Sequence, residues 1–148
     1  MANVMADARN EMSAVIYKAW DDNCLSFFGS SKEMLSNSST KSAMDILASD
    51  VWARLDIRHT TQKPISLADD TGRILYIRKG ILSFQCFIPI SEKSPFDIAE
   101  SICVNIRNVL QKHRGCVIFR NCSAEEGILE KSLLGFNVIA DFEYSETL

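Results

Sequence analysis

The stretch GRILYIRKGILSFQCFIPI, residues 72–90, decides the fold. In its second half every other residue is apolar, which is the period of a strand with one buried face: Leu82, Phe84, Cys86 and Ile88. The first half carries Arg73, Arg78 and Lys79, and Gly80 separates the two halves. The stretch is much longer than an ordinary strand. We therefore predict a buried strand from 81 to 88, an outer arm from 73 to 79, and a bulge or bend at Gly80.

The preceding stretch, VWARLDIRHT at residues 51–60, alternates in the same way. One face carries Val51, Ala53, Leu55, Ile57 and His59, and the other carries Trp52, Arg54, Asp56, Arg58 and Thr60. A turn-rich connection with Pro64 and Gly72 joins it to the next strand. The two strands are therefore predicted to pair as a long antiparallel hairpin.

Helical patterns stand on either side of this hairpin. Residues 3–20 have apolar residues at helical spacing. A second helix is predicted to begin at Ser94-Pro95, with Ser94 as cap and Asp97 in the first turn, and to stop at Gly115. Residues 116–122 and 134–144 indicate two more strands.

The order of elements predicts an α+β fold in a single domain over residues 1–148. We expect a mostly antiparallel sheet of four or slightly more strands, two helices packed on one face, and a long protruding β-hairpin. Residues 21–50 are Ser-rich and polar and are predicted to be a variable, partly irregular loop.

The bulk composition limits the class of protein. The net charge of −3 argues against broad binding of DNA or anionic membrane. No apolar run is long enough for a transmembrane helix, and no secretory leader is recognised, so no membrane partner is expected. The cysteines, which are odd in number, are predicted to be reduced and mostly buried: Cys24, Cys86, Cys103, Cys116 and Cys122.

The sequence carries almost no recognisable catalytic constellation. His59 and His113 are interpreted as structural, and no nucleotide-binding, hydrolase or metal-ligand spacing occurs. No enzyme activity, cofactor or metal is therefore predicted. The basic cluster Arg73, Arg78 and Lys79 has three open interpretations: a charged strand end that blocks pairing, an interface with an acidic neighbouring subunit, or a nucleic-acid contact with Tyr76 for stacking. Trp52, on the polar face of its strand, is predicted to be exposed and to contact a partner.

The two strands and the chain's last strand together resemble the phage tail terminator family, in its small prophage-encoded members. The matching positions are Trp52-Ala53-Arg54, Gly72-Arg73, Arg78, Gly80, Gln85, Pro89 and Phe142-Glu143-Tyr144. The similarity covers about residues 1–20 and 50–146, and it departs from the family over 21–50. Its motifs are structural and become specific only in combination.

The resemblance implies a non-enzymatic virion protein, assembled in the host cytoplasm, that forms a ring, hexameric by the family's pattern. The ring stops polymerisation of the tail tube and joins the head connector or neck proteins, while DNA passes through it. Two alternatives stay open: a head-completion or neck ring on the portal side, and a small nucleic-acid-binding module. A cysteine-dependent enzyme is a third alternative. The hairpin from Arg54 to Phe84 is the predicted contact surface, with Trp52, Arg54, Arg58, Arg73, Tyr76, Arg78 and Lys79 as interface residues.

Overall fold

The computed structural model of the protein describes residues 4–36, 50–64, 74–130 and 133–147. In chain order the elements are α1 (Val4–Phe28), β1 (Glu33–Ser36), β2 (Trp52–Pro64), β3 (Leu75–Pro89), α2 (Pro95–Lys112), β4 (Ile118–Glu130) and β5 (Leu133–Thr147). Four of the five strands have 13 or 15 residues, which is more than twice the usual length.

The strands form one sheet in the order β1-β2-β3-β5-β4. The β1–β2 pair is parallel and the other three pairs are antiparallel. The α+β class with two helices is therefore confirmed, and the sheet differs in detail because it has five strands and is mixed. The additional strand, β1, lies in the segment predicted to be an irregular loop, where only the short apolar pair Met34-Leu35 marks it. Residues 37–49 of that segment lie outside the described residues.

The predicted hairpin of β2 and β3 forms, but its arms do not stand alone. β5 pairs with β3 along its whole length, from Leu75 opposite Thr147 to Pro89 opposite Leu133. β3 is therefore the central strand of the sheet, and the predicted two-stranded arm is three-stranded over the residues described. The end of β5 is polar and does not show the apolar alternation that predicts a strand. Backbone hydrogen bonds to β3 nevertheless extend β5 to Thr147, so this pairing could not be predicted from the sequence pattern. The hairpin tip, residues 65–73, lies outside the described residues.

Both helices cover the same face of the sheet. The core between them is built from alternate residues of the three central strands, including Leu55, Ile57, Leu82, Phe84, Val138 and Ala140, against Met12, Ile16 and Trp20 of α1 and Ile102 and Ile106 of α2. These side chains are at most 4% exposed. The period-two apolar pattern read from residues 51–60 and 81–88 faces this core, as expected.

Helix α1 runs eight residues beyond the predicted end at residue 20. Trp20 explains the extension: its ring is buried against Phe84, and its Nε1 donates a hydrogen bond of 3.0 Å to the carbonyl of Lys32. One turn later, buried Asn23 accepts a 2.7 Å hydrogen bond from Asn105 Nδ2 of α2. Polar residues after position 20 therefore continue the helix because tertiary contacts stabilise it.

The start of α2 differs from the prediction in one respect. Pro95 occupies the first turn and Asp97 lies there as expected. Ser94, however, has left-handed backbone angles (φ 54°, ψ 53°) and makes no side-chain capping hydrogen bond. Its prediction as a side-chain cap is wrong, because a residue in this conformation does not have the extended backbone that a capping serine needs.

Glu11 of α1 connects the first helix to the end of the second. Its Oε2 accepts hydrogen bonds from His113 Nε2 at 2.8 Å and from the Val117 amide at 2.9 Å. Its Oε1 accepts a third from the Cys116 amide at 3.3 Å. His113 is the C-cap residue of α2. One carboxylate therefore fixes α1, the end of α2 and the turn into β4.

Gly80 lies where the sheet changes register. An added Cβ would lie against the backbone carbonyl oxygen of Arg58 and the ring of Phe142, closer than van der Waals contact allows. The sequence predicted a bulge or bend at Gly80, whereas the register shift lies in the neighbouring strand β2, between His59, which pairs with Gly80, and Thr61. β4 has a second register shift at the same end, between Arg120 and Ser123. Because Gly80 has no side chain, the Phe142 ring and the Arg58 carbonyl can lie close to its backbone beside the register shift.

Candidate functional site: the uncovered face and the sheet extension

One face of the sheet carries no helix among the described residues, and we call it the uncovered face. Its side chains alternate with the buried core residues along each strand. It comprises Trp52, Arg54, Asp56 and Arg58 of β2, Lys79, Ile81, Ser83, Gln85 and Phe87 of β3, Asn137, Ile139, Asp141 and Glu143 of β5, and Ile118, Arg120, Ser123 and Glu125 of β4. Ile81 and Ile118 are 42% and 47% exposed, which is high for large apolar side chains.

Beyond Gly80, three strands continue side by side: residues 61–64, 75–79 and 143–147. We call this region the sheet extension. The core cluster ends at its base, with Tyr144 as its last member on β5. Leu75, Tyr76 and Ile77 are only half-buried. Among the described residues, Tyr76 and Ile77 of the extension are therefore large side chains that lie outside the hydrophobic core cluster.

The predicted interface residues are divided among three places. Arg54, Arg58 and Lys79 lie on the uncovered face, where Arg58 and Lys79 are exposed and Arg54 is half-buried. Tyr76 and Arg78 lie on the opposite, helix-bearing side of the extension, because residues 78 and 79 of one strand point to opposite faces. Arg73 lies outside the described residues. The basic cluster read as one group from the sequence is thus split between the two faces.

Trp52 is on the uncovered face, but it is only 7% exposed. Its ring stacks on Phe87, its partner across β2 and β3, with a centroid distance of 4.3 Å and an interplanar angle of 20°. The predicted exposure of Trp52 is wrong, because a cross-strand aromatic pair covers a ring that the alternation places outside the core.

Arg78 is held by its own chain. Its guanidinium lies 3.3 Å from Glu146 Oε1, and both side chains are 13% exposed. The guanidinium carbon is 5.6 Å from the Tyr76 ring centroid. The Arg78 Nε atom is buried and has no hydrogen-bond partner within the described residues. Arg78 therefore stabilises the extension internally, whereas Lys79 is exposed.

A polar cluster that sequence reasoning missed lies where the extension meets the core. His59 Nε2 is 2.6 Å from the Tyr144 hydroxyl, and His59 Nδ1 is 3.4 Å from Arg9 Nη2. Arg9 Nη1 also donates to the carbonyl of Ile57 at 3.1 Å. Because a guanidinium only donates, Nδ1 of His59 must accept, which leaves the proton on Nε2 for Tyr144. His59 is thus held in its neutral form, and no local sequence pattern joins residues 9, 59 and 144.

The surroundings of His59 disfavour its charged form. Burial lowers the pKa of His59, and the neighbouring cations Arg9 and Arg78 lower it further. Burial also raises the pKa of Tyr144, which Arg78 partly counteracts. In the unfolded chain His59 titrates near its usual value of about 6.5. On acidification through that value the unfolded state binds a proton that the folded state resists, so folding stability falls with pH until the lower folded pKa is passed.

Acidification from about pH 7 to pH 5 is expected to lower the free energy of unfolding of the wild-type protein, and His59→Gln should remove part of that decrease. Glutamine keeps an acceptor and a donor at this place but does not titrate. Urea unfolding at several pH values measures the effect as a shallower dependence of the free energy of unfolding on pH. An unchanged dependence in the variant would show that His59 does not titrate with folding.

Three of the five thiols lie in the folded core. Cys24, Cys86 and Cys103 are buried, as predicted, whereas Cys122 is half-buried and Cys116 is exposed. Burial raises the pKa of both Cys24 and Cys103 to about 12, and it also raises that of Cys86. Since the thiolate is the nucleophile, these three thiols are poorly suited to attack a substrate at neutral pH. Among the described residues, no group of three or more His, Cys, Asp or Glu side chains is arranged to hold a metal ion.

Neither helix in the described part of the chain combines the length and apolarity that crossing a bilayer requires.

Comparison with known proteins supports the fold and no closer relationship. No family model matches the sequence, and no curated protein matches it. Thirty chains of solved structures match. One of these superposes with a TM-score of 0.57 at 12% sequence identity, over 92% of this chain and 94% of that chain. At this identity the likeness shows a shared α+β fold and does not transfer a function.

Proposed function

We propose that the protein is a structural virion component that forms a ring, hexameric by the family's pattern, at the end of a phage tail tube. The ring halts tube polymerisation and presents the surface that joins the tail to the head connector. Its resemblance to tail terminators in strand motifs and element order motivates this proposal. Its partners are further copies of itself, the tail tube protein and the neck proteins, and its location is the tail or neck of the virion after assembly in the host cytoplasm.

The observation that carries the proposal is the sheet extension. Tyr76 and Ile77 lie on β3, which is paired on both sides there, and among the described residues they are half-buried and outside the hydrophobic core cluster. Partly exposed apolar residues on a rigid, regular element are typical of contact surfaces. In a ring each subunit presents two different surfaces to its neighbours, so an element that reaches beyond the core suits the contact.

The charge of the chain fits a ring that DNA traverses. A net charge of −3 gives the subunits little general attraction for the phosphate backbone. The uncovered face as defined above carries four cations and four anions: Arg54, Arg58, Lys79 and Arg120 with Asp56, Glu125, Asp141 and Glu143. We therefore expect DNA to pass through such a ring without binding tightly to it.

The substitution Ile77→Asp tests the extension as a contact surface. Ile77 is half-buried and outside the hydrophobic core cluster, so we expect the fold to be retained, with a loss in unfolding free energy of about 1–2 kcal/mol. We expect the variant to lose capping of tail tubes, which negative-stain microscopy of the protein mixed with tubes would show as uncapped ends and overlong tubes. Val109→Asp on α2, where the valine is 39% exposed, is the matched control and should cap normally.

Normal capping by Ile77→Asp would exclude the extension as the contact. Absence of capping by the wild-type protein, with rings found on portal or head particles in the same assay, would favour the alternative role at the neck. A nucleic-acid-binding module would need an exposed aromatic ring on which bases stack. Tyr76, the predicted stacking residue, is half-buried with the Arg78 guanidinium 5.6 Å from its ring centroid, and Trp52 is 7% exposed and stacked on Phe87. Salt-dependent binding of the wild-type protein to DNA would nevertheless support that alternative over the ring.

A further inference from the structure

The edge of the sheet formed by β4 is acidic. β4 is the outermost strand on its side, and its residues Glu125 and Glu126 are both exposed. Glu125 pairs with Asn137 and points to the uncovered face, whereas Glu126 pairs with the core residue Phe136 and points to the helix-bearing side. Neither glutamate forms an ion pair with another described residue. This edge therefore presents one carboxylate on each side of the sheet.

The opposite edge of the sheet is basic. β1 covers β2 only over residues 52–55, and beyond them Arg58 is exposed on the uncovered face. On the helix-bearing side, Arg9 of α1 reaches the same edge and donates a 3.1 Å hydrogen bond to the carbonyl of Ile57. Its second contact is the neutral ring of His59. Within the described part of the chain, neither arginine has a carboxylate at ion-pair distance.

A cavity of about 220 Å³ gives access to Arg9 from outside. It lies between α1 and the edge of the sheet, and its lining includes Arg9, Asn10, Ser13, Leu55 and Ile57. Guanidinium, amide and hydroxyl groups can all donate hydrogen bonds to a carboxylate oxygen. A partly buried guanidinium also gains most from an ionic partner that completes its hydrogen bonds. The cavity therefore suits the side chain of an acidic residue.

The charges have the same spacing at the two edges. Across the sheet, Glu126 is level with residue 53 and Glu125 is level with residue 54. Arg9 contacts β2 at residue 57, and Arg58 follows it, so both cations lie four residues further along the strand. One shift of about 13 Å therefore brings each carboxylate beside a guanidinium on its own side of the sheet. Tilted strands produce such a shift when sheets close on themselves.

From this match we propose that the β4 edge of one copy docks on the β2 edge of the next copy. Glu126 enters the cavity beside Arg9, and Glu125 faces Arg58 on the uncovered face. This inference rests on the proposed ring and names the residues through which neighbouring copies meet. The contact is head-to-tail, so it repeats from copy to copy until the ring closes. A two-fold contact at either edge would instead oppose like charges.

The remainder of the β4 edge favours a contact made by side chains. Asn121 has a left-handed φ of 52°, and the pairing of β4 with β5 shifts register at two places. Such irregularities prevent another strand from adding along the whole edge. The same shift also brings Arg120 near the level of Lys63. Arg120 is paired with Glu143 at 2.9 Å, so its charge opposes the contact only weakly.

Charge reversal at either edge tests this contact. Mass photometry over a range of concentrations and negative-stain microscopy with tail tubes measure the assembly. The wild-type protein is expected to form rings of six times the chain mass of 16.6 kDa. Arg58→Glu, Glu125→Arg and Glu126→Lys should each raise the concentration of half-assembly about tenfold or more, because like charges then meet at every contact. Glu126→Lys tests the cavity without altering the contacts of Arg9 within its own chain.

Compensating changes separate this contact from a general effect of charge. The double variant R58E/E125R restores the pair in reverse and should assemble within about threefold of the wild type. An equimolar mixture of R58E and E125R should also assemble, because alternating copies place opposite charges at every contact of an even-numbered ring. Glu100→Lys and Lys112→Glu are the matched controls on exposed positions of α2 and should have no effect.

The results distinguish this contact from the ring itself. If the single variants form rings as readily as the wild type, the contact is wrong and the proposed ring stands. The contact is also wrong if neither the double variant nor the mixture recovers, or if the wild type stops at two copies. If the wild type forms no ring in solution or on tubes, the proposed function fails and the contact fails with it. Circular dichroism of each variant shows whether a loss of assembly comes from a loss of fold.

Discussion

Replacing Gly80 with alanine is expected to destabilise the protein by about 3 kcal/mol or more. The new methyl group would meet the carbonyl oxygen of Arg58 and the ring of Phe142, on both sides of the central strand. A side chain could turn away, but the Arg58 carbonyl belongs to the paired strand β2 and can move only if the pairing moves. Urea unfolding measured by fluorescence or circular dichroism checks the value.

A second substitution separates the two contacts of Gly80. Phe142→Leu shortens the ring side chain but leaves the Arg58 carbonyl in place. We therefore expect G80A/F142L to recover only part of the stability lost in G80A. Full recovery relative to F142L alone would contradict the role of the backbone contact. Gly29→Ala provides a comparison without a steric contact. Gly29 has a φ of 73° and open space around it, so alanine there should lower the free energy of unfolding by about 1 kcal/mol through backbone strain alone.

The second large effect is expected at Glu11. Substitution by glutamine removes the charge that accepts from His113 and from the Val117 and Cys116 amides. Its side chain is 25% exposed, so solvent screens the contacts only in part. We expect a loss of about 2 kcal/mol and a fall in Tm of about 4–8 °C. Glu100→Gln, an exposed position on α2, is the matched control and should change stability by less than about 0.5 kcal/mol.

The pH dependence of Glu11 has a defined sign. Burial alone would raise the pKa of Glu11, but the hydrogen bonds from His113, Val117 and Cys116 outweigh it, and the net effect lowers the pKa below 4.5. The folded state therefore resists protonation more than the unfolded state does. The resulting stability is fully present above about pH 4.5 and is lost as the pH falls through the folded pKa. Wild type and E11Q should converge in stability at acid pH, and a constant difference down to pH 2 would contradict this account.

The central features of the fold could be predicted because they follow from local periodicity. Leu82, Phe84, Cys86 and Ile88 face the core as their alternation indicates, and the helix from Pro95 has its apolar stripe against the sheet. Strand β1 could not be predicted in this way, because four residues are too few to show a period. Its place beside Trp52–Leu55 is decided by pairing with a distant segment.

The candidate site could be predicted less well than the fold, for a physical reason. Arg78 and Lys79 are adjacent in sequence and therefore read as one basic group, yet consecutive strand residues point to opposite faces. Whether Arg78 is free depends on Glu146, which lies 68 positions later and reaches it only through the β3–β5 pairing. The burial of Trp52 likewise depends on Phe87 across the sheet. Alternation gives the face of a residue, and long-range pairing decides what covers it.

The position of β5 also constrains the order in which the protein can be made and folded. β5 is the last strand of the described chain, yet it lies between β3 and β4 in the sheet. During synthesis, β2 and β3 are translated before β5. One edge of β3 therefore has no strand partner until residues 133–147 have been translated. An open strand edge is a site of mispairing in a growing chain. Nascent chains halted before residue 133 should therefore depend on chaperones more than chains that include residues 133–147, in which β5 covers the open edge of β3.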